Sequence, residues 1–480
     1  MSSKLSVSAI GLCVCSALSC SAYAQNQHIN SNQQINQRIN YLQHQIDELK
    51  TQVSKNKKRK KQTSKSSSSA LPHPDHYGAM HRRKCQYSPS RVSIGPYLTK
   101  DTLYDGSELI VNTPSVREAA SLLMAQAKLQ EECEELAVSG PAYPRLVFSG
   151  SLEGQASYSN PYQGSSVNNI NLSGAELDTW IQASPWIHGF MALDYDPDDL
   201  NNGSKLFLNR AFIVLGNLNR FPVYTEIGQI YVPFGRYSSL FITAPTTQGL
   251  GRTRARSLVL GFQQTGDNRF NAEIYGFQGL TNNINKTNTT NEGGADAGYT
   301  FSLGRVSGYL GGSVISNLAD SQGFQATSFL NNETQIHGVS AYDFYGSLTI
   351  KPVTFIAEFI KAMSSFNIVD VAYQNNGARP SAYNFEVDFS FNTGSKESAI
   401  GLTYQGSSQA LALGLPEHRY GVVYSVVIWE NTQLRLEYRH DINYPTSAAT
   451  TDPVNPTPGN VASDLGQSDN AVTAQFDLYF

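Results

Sequence analysis

Charge is scarce in this chain. Only 15% of its 480 residues are Asp, Glu, Lys or Arg, with a formal net charge of −4, so no nucleic-acid partner is expected. Long apolar runs are also missing. Beyond the first two dozen residues nothing approaches the roughly 18 that a membrane helix needs, so a chain of this kind spans a membrane only with strands. Of five cysteines, Cys13, Cys15 and Cys20 fall in the N-terminal apolar run. Cys85 and Cys133 remain, and a disulfide and two unpaired thiols are equally open for them. The chain has no G-x-S-x-G elbow, no H-E-x-x-H and no P-loop, and His188, His337, His418 and His440 are scattered. No catalysis and no cofactor are expected. The stretch "HPDHYGAMHRRKC" gathers His73, Asp75, His76, His81 and Cys85, but at no fixed ligand spacing, and reads as a proline-bounded loop rather than a metal site.

The chain is rich instead in aromatics (11%) and glycine (38 residues). Together with few charges, that composition fits a membrane β-barrel. Lys4, the run "LSVSAIGLCVCSALSC" and Ala22-Tyr23-Ala24 form a secretory signal over 1–24. A lipoprotein cysteine at Cys20 fits less well, because Leu18 stands two residues before it rather than three. Over 25–54, Ile35, Ile39, Leu42, Ile46, Leu49 and Val53 make a heptad seam. It would join copies through residues 29–53 or pack on its own protein. A basic, serine-rich linker follows over 55–86, suited to anionic polymer or simply to solvent. Residues 87–144 read as a small periplasmic cap with one helix, Ala119 to Leu136, opened by Thr113 or Ser115 as N-cap, with Glu118 as the capping-box partner of Ser115.

From Arg145 the period becomes two. In "YNFEVDFSF", Tyr383, Phe385, Val387, Phe389 and Phe391 alternate with Asn384, Glu386, Asp388 and Ser390. In "LRLEYRHDI", Leu434, Leu436 and Tyr438 alternate with Arg435, Glu437, Arg439 and Asp441. About sixteen such segments are expected over 145–480, joined alternately by tight turns and long polar loops. That predicts an all-β fold, an antiparallel transmembrane barrel with short periplasmic turns in a Gram-negative outer membrane. Glu386, Asp388, Arg435, Glu437, Arg439 and Asp441 would line its lumen, either pairing across strands or selecting solutes. The terminal Phe480 resembles the C-terminal signature read by the barrel assembly machinery.

The stretch "LNRAFIVLGNLNRFPVYTEIGQIYVPFGRYSSLFITAPTTQGLGRTRARSLVLGF", with "YDGSELIVNTPSV" upstream, resembles the LbtU-like siderophore porins of Legionella and related bacteria. The resemblance implies a sixteen-stranded outer-membrane barrel, without a plug, that takes up a ferric siderophore. A general or anion-preferring porin and a structural envelope anchor are the alternatives. Arg236, Arg252, Arg254 and Arg256 share one long outer loop and could form a basic capture site for an anionic ferric complex. Parity points elsewhere: Arg256 shares the register of Leu258 and Leu260, which would turn the row outward to anchor lipopolysaccharide, unless it pairs in the wall. Only a bulge or an inward-folded loop, eased by Gly249 and Gly251, brings it to the lumen.

Overall fold

In the computed structural model, residues 91–94, 116–135, 143–196, 205–283, 292–329, 334–429, 431–451, 457 and 462–480 are described. The expected signal (1–24), heptad helix (25–54), linker (55–86) and most of 87–144 lie outside them, as do Cys85 and the Cys133 side chain.

Strict alternation leaves each strand with one apolar and one polar face, and a closed sheet separates the two without leaving an edge. The sheet has 17 strands: a three-residue segment, Val92–Ile94, and sixteen antiparallel strands that form the barrel. These are β1 (Arg145–Asn160), β2 (Val167–Gln182), β3 (Ile187–Tyr195), β4 (Leu206–Asn217), β5 (Phe221–Tyr231), β6 (Arg254–Gln263), β7 (Arg269–Gln278) and β8 (Glu292–Leu303). The second half is β9 (Val306–Ile315), β10 (Ala341–Ile350), β11 (Val353–Ala362), β12 (Ser381–Thr393), β13 (Lys396–Ser408), β14 (His418–Val426), β15 (Thr432–Ile442) and β16 (Ser468–Tyr479). Each strand pairs with the next, and β16 returns to β1, from Ser151↔Tyr479 to Asn160↔Asn470.

The tight turns use backbone that favours glycine or asparagine. Gly266, Gly304, Gly394 and Asn431 have positive φ in the turns β6–β7, β8–β9, β12–β13 and β14–β15. The opposite end carries the long loops 232–253, 316–340, 363–380 and 443–467, and this asymmetry marks it as the outer side. Outward positions form an apolar belt that includes Ile213, Ile227, Leu258, Ile274, Phe344, Phe385, Leu402 and Leu436, all exposed on the lone chain. Such a belt is stable only against hydrocarbon. The protein is an outer-membrane β-barrel.

One expectation changes. Helix α1 (Glu118–Glu135) does not cap the barrel from below. Its Ala119, Ala120, Leu122, Leu123 and Ala127 side, with Val116 just before it, packs into one core with Trp180, Phe190, Ala192, Phe212, Val214 and Tyr224, which point inward from β2 to β5. The helix therefore lies inside the lumen. Asn219, in the turn between β4 and β5, donates to the Ala127 carbonyl and to Gln130, so the C-terminal half of α1 sits at the periplasmic end.

Candidate permeation pathway

Two elements narrow the lumen. The first is the loop 232–253, which leaves β5 and turns inward instead of covering the mouth. A loop in the lumen must find acceptors for its backbone N–H groups, and here carboxylates of the far wall supply them. Glu358 on β11 accepts from the N–H groups of Arg236 (2.5 Å) and Tyr237 (2.9 Å) and from Thr247 Oγ1. Glu386 on β12 accepts from Leu240 N–H at 2.6 Å and Ser239 Oγ at 2.7 Å. Glu437 on β15 accepts from the N–H groups of Ile242 (2.6 Å) and Thr243 (3.0 Å). Gln405 on β13 takes Thr246 N–H at 3.0 Å, and Arg419 on β14 donates to the Ala244 carbonyl at 3.2 Å. The loop is thus tied along the wall from β11 to β15.

Packing accounts for its glycines. The loop ends in a short helix, α2 (Thr246–Gly251). A Cβ on Gly251 would stand 2.6 Å from Ile360 Cδ1 and 2.7 Å from Tyr237 Oη, and one on Gly249 2.8 Å from Leu415 Cδ2. Tyr237 has φ 56°, a conformation bulky residues rarely adopt, and is held there by Glu358 and by its own hydroxyl bonded to the Phe234 carbonyl at 2.7 Å. Phe324 of α3 (Gln322–Ala326) packs with Phe329 and Phe366, and this part of the outer loops is continuous with the core that holds the loop and α1.

The second narrowing element is the start of α1. Arg117, at φ 62°, places its guanidinium 2.7 Å from Glu273 on β7, 3.0 Å from Gln263 on β6 and 3.7 Å from Asp296 on β8. Glu118 meets Arg210 of β4 at 2.8 Å, and Arg210 also lies 2.8 Å from Glu176 and 3.9 Å from Asp178. Arg210 is 1% exposed. Glu118 accepts from Arg210 of the wall; Ser115, its expected capping-box partner, lies outside the described residues.

The inner-face residues expected from parity point inward, with distinct partners. Glu386 and Glu437 hold the loop. Arg435 binds Asp477 at 2.9 Å, Arg419 binds Asp441 at 2.7 Å, and Arg439 reaches Asp469 (3.2 Å) and Asp441 (3.3 Å). Asp388 is buried on the same face. Arg435–Asp477, Arg419–Asp441 and Arg439–Asp469 join neighbouring strands and stiffen the wall, while Arg439–Asp441 lies within β15.

The four arginines of the long loop do not form one site. Arg236 is buried at the narrowing, its guanidinium 5.4 Å from the Tyr309 ring centre. Arg252 lies over Tyr231 at 4.8 Å and donates to Gln322 of α3 at 2.7 Å. Arg256 is exposed on β6 between the buried Ala255 and Ser257, whereas the half-buried Arg254 donates to the buried Asn209 at 2.9 Å and lies 5.3 Å from the ring centre of Phe207, the register partner of Asp194. Glu273, Asp296, Asp343 and Glu358 were not among the expected lumen residues, although their period-two position was visible. Arg117 was hidden because its segment reads as a separate helix.

The class is that of a closed antiparallel barrel of the outer membrane whose lumen is narrowed by an inward loop and an inserted helix. Among curated relatives, a UPF0422 protein of Coxiella burnetii (strain RSA 493 / Nine Mile phase I) is 57% identical over 481 residues, covering 100% of both chains. UPF0422 protein lpl2888 of Legionella pneumophila (strain Lens) is 32% identical over 414 residues, 81% of this chain and 76% of that one. The chain belongs to the UPF0422 family. The relatives' names state no solute, and no family model matches. Among solved structures, OmpF of Salmonella typhi in complex with daunomycin is 13% identical, with a TM-score of 0.46 over 70% of this chain and 98% of that one. The outer membrane channel DcaP of Acinetobacter baumannii is 13% identical, with a TM-score of 0.45 over 70% and 97%.

Proposed function

We propose that the protein is a constricted outer-membrane channel that takes up a ferric siderophore. One observation supports this reading above the others. The most specific part of the siderophore-porin resemblance, "PFGRYSS", "ITAP" and "LGRTRARS", coincides with the loop that crosses the lumen and the strand that follows it. The residues that carry the likeness are therefore the ones that shape the passage. A helix and a strapped loop together leave less room than an open pore would, which suits recognition of one solute over bulk flow.

The second reading, a general porin, is favoured by the excess of carboxylates over arginines on the inner face, which would make such a pore cation-preferring. Import separates the two. In cells lacking the protein, radiolabelled ferric-siderophore import should fall and return on complementation. Unchanged siderophore import, with reduced flux of small cations, would reject the first reading in favour of the second.

A further inference from the structure

The lumen is filled on one side and open on the other. Helix α1 covers the inner face from β2 to β5, and the loop 232–253 covers the wall from β11 to β15. On the strands between them, inner side chains such as Val259, Glu273 and Asp343 are closed to solvent. Accessible inner-face side chains gather instead on β16, β1 and the outer half of β2, and include Glu153, Gln155, Ser157, Asn169, Asn171 and Thr473. They form one strip: Gln155 is level with Asn171 and Gln475, and Ser157 with Asn169 and Thr473. What crosses the barrel therefore passes along this strip.

On the reading of this protein as a solute channel, we infer that the strip is its binding track, and that it takes a hydroxyl- or carbonyl-bearing solute that is uncharged or cationic and rejects anions. The side chains of Ser157, Asn169, Asn171 and Thr473 have no hydrogen bond among the described residues. Their amides and hydroxyls are free to bond a solute in place of water. Gln155 is the exception in the row, donating to Gln475 Oε1 at 3.4 Å. Neutral donors and acceptors replace the hydration of hydroxyls and carbonyls at little cost, whereas an unmatched charge loses more than such groups return.

The charge left over along the strip is negative. Arginines that reach it are matched, Arg435 by Asp477 and Arg439 by Asp469 and Asp441. Glu153, at the periplasmic end of the strip, makes no side-chain hydrogen bond or ion pair among the described residues. Its register partner on β2 is Gly174, where a Cβ would stand 3.2 Å from Glu153 Oε2, so the glycine leaves the carboxylate room to turn into the passage. An unmatched carboxylate in a narrow passage concentrates cations and repels anions. Among ferric siderophores that favours hydroxamate complexes, whose anionic groups balance the ferric charge, over catecholate or citrate complexes, which remain anionic. This is the opposite preference to the one the arginine row suggested.

The test is single-channel recording of the full-length protein in planar bilayers, with solute binding read as interruption of the ionic current. Ferrioxamine B, a cationic ferric trihydroxamate, should bind at least tenfold more tightly than ferric enterobactin, an anionic catecholate complex. Asn169→Ala with Asn171→Ala should weaken ferrioxamine B at least tenfold, while Asn168→Ala, on the outward face of the same strand, should leave it unchanged. Glu153→Gln should weaken it at least threefold and leave the neutral trihydroxamate ferrichrome unaffected. Equal binding of the cationic and anionic complexes would overturn the charge preference while leaving siderophore uptake in place. So would a Glu153→Gln channel identical to the parent. If no ferric complex interrupts the current but the neutral sugar maltohexaose does, and the asparagine pair abolishes it, the track stands and the siderophore reading falls. Silence from all of these solutes rejects the track. Should the asparagine variant not migrate as a folded barrel on an unboiled gel, Glu153→Gln alone decides, because that carboxylate has no described protein partner.

Discussion

Glu358 and Arg236 meet across the lumen: a carboxylate on β11 accepts the backbone N–H of a residue that has just left β5, at 2.5 Å. The same carboxylate also holds Tyr237 and Thr247. Hydrogen bonds to a charged group contribute roughly 1.5–3 kcal/mol each. Glu358→Ala should therefore release the first turn of the loop, raise single-channel conductance in planar bilayers at least twofold, and expose Tyr237 to chymotrypsin. Conductance equal to the parent would mean that the loop does not set the width of the passage.

Arg210 neutralises Glu118, Glu176 and Asp178 from a site closed to solvent. Removing one partner of a buried ion cluster leaves the others uncompensated, at a cost of roughly 3–5 kcal/mol. Arg210→Met should lower the temperature at which the folded band is lost on a gel, and should free α1 from the wall. Accessibility of a cysteine introduced at Ala120, 0% exposed in the parent, reads the second effect directly.

The barrel was legible in the sequence because alternation, turn glycines and loop length all report on the same strands. Arg145, where the period turns to two, is the first residue of β1. The inserted helix was not legible by that route, because periodicity says which face is apolar, not what covers it. A signal was nevertheless present. In β3 and β4 both faces are apolar, with Phe190, Phe212 and Val214 pointing inward, and an apolar patch on a wet face requires a cover. The arginine row shows the same division. Parity fixed the outward direction of Arg256, while the reach of Arg254 to Asn209 and the burial of Arg236 depended on partners in other strands, Glu358 being 122 residues away.

Asp320 offers a pH dependence outside the membrane-spanning strands. Burial pushes its carboxyl up to about 6, against the N–H bonds from Thr281 and Leu280 that favour the charged form, with Glu292 adding to the upward shift. The closed loops then bind a proton more tightly than the opened ones. Their stability is greatest below about pH 4 and falls as pH rises through about 6, by an amount on the order of 3 kcal/mol. Hydrogen exchange at Leu280 and Thr281, corrected for intrinsic rate, should be slower at pH 5 than at pH 7. Asp320→Asn should abolish the difference, and a difference that survives would assign it to another group.

Closure of the barrel gives the last prediction. Phe480 and Gly150 exchange backbone hydrogen bonds, N–H to carbonyl at 2.9 and 3.0 Å, beside the seam where β16 meets β1. Gly150 sits under the ring: a Cβ there would stand 2.7 Å from Phe480 Cζ and 2.4 Å from the Glu176 carbonyl oxygen on β2. The second contact is with backbone and cannot be relieved by a rotamer change. Gly150→Val should therefore prevent β1 from pairing on both sides, leaving little folded protein in the outer membrane. Phe480→Ala keeps the backbone pair and removes only the ring, so protein refolded from denaturant into detergent should still close. If that same variant is depleted from the outer membrane of cells, the ring is needed for delivery to the assembly machinery rather than for the barrel. Normal abundance in cells would show that Phe480 serves only to pack the seam.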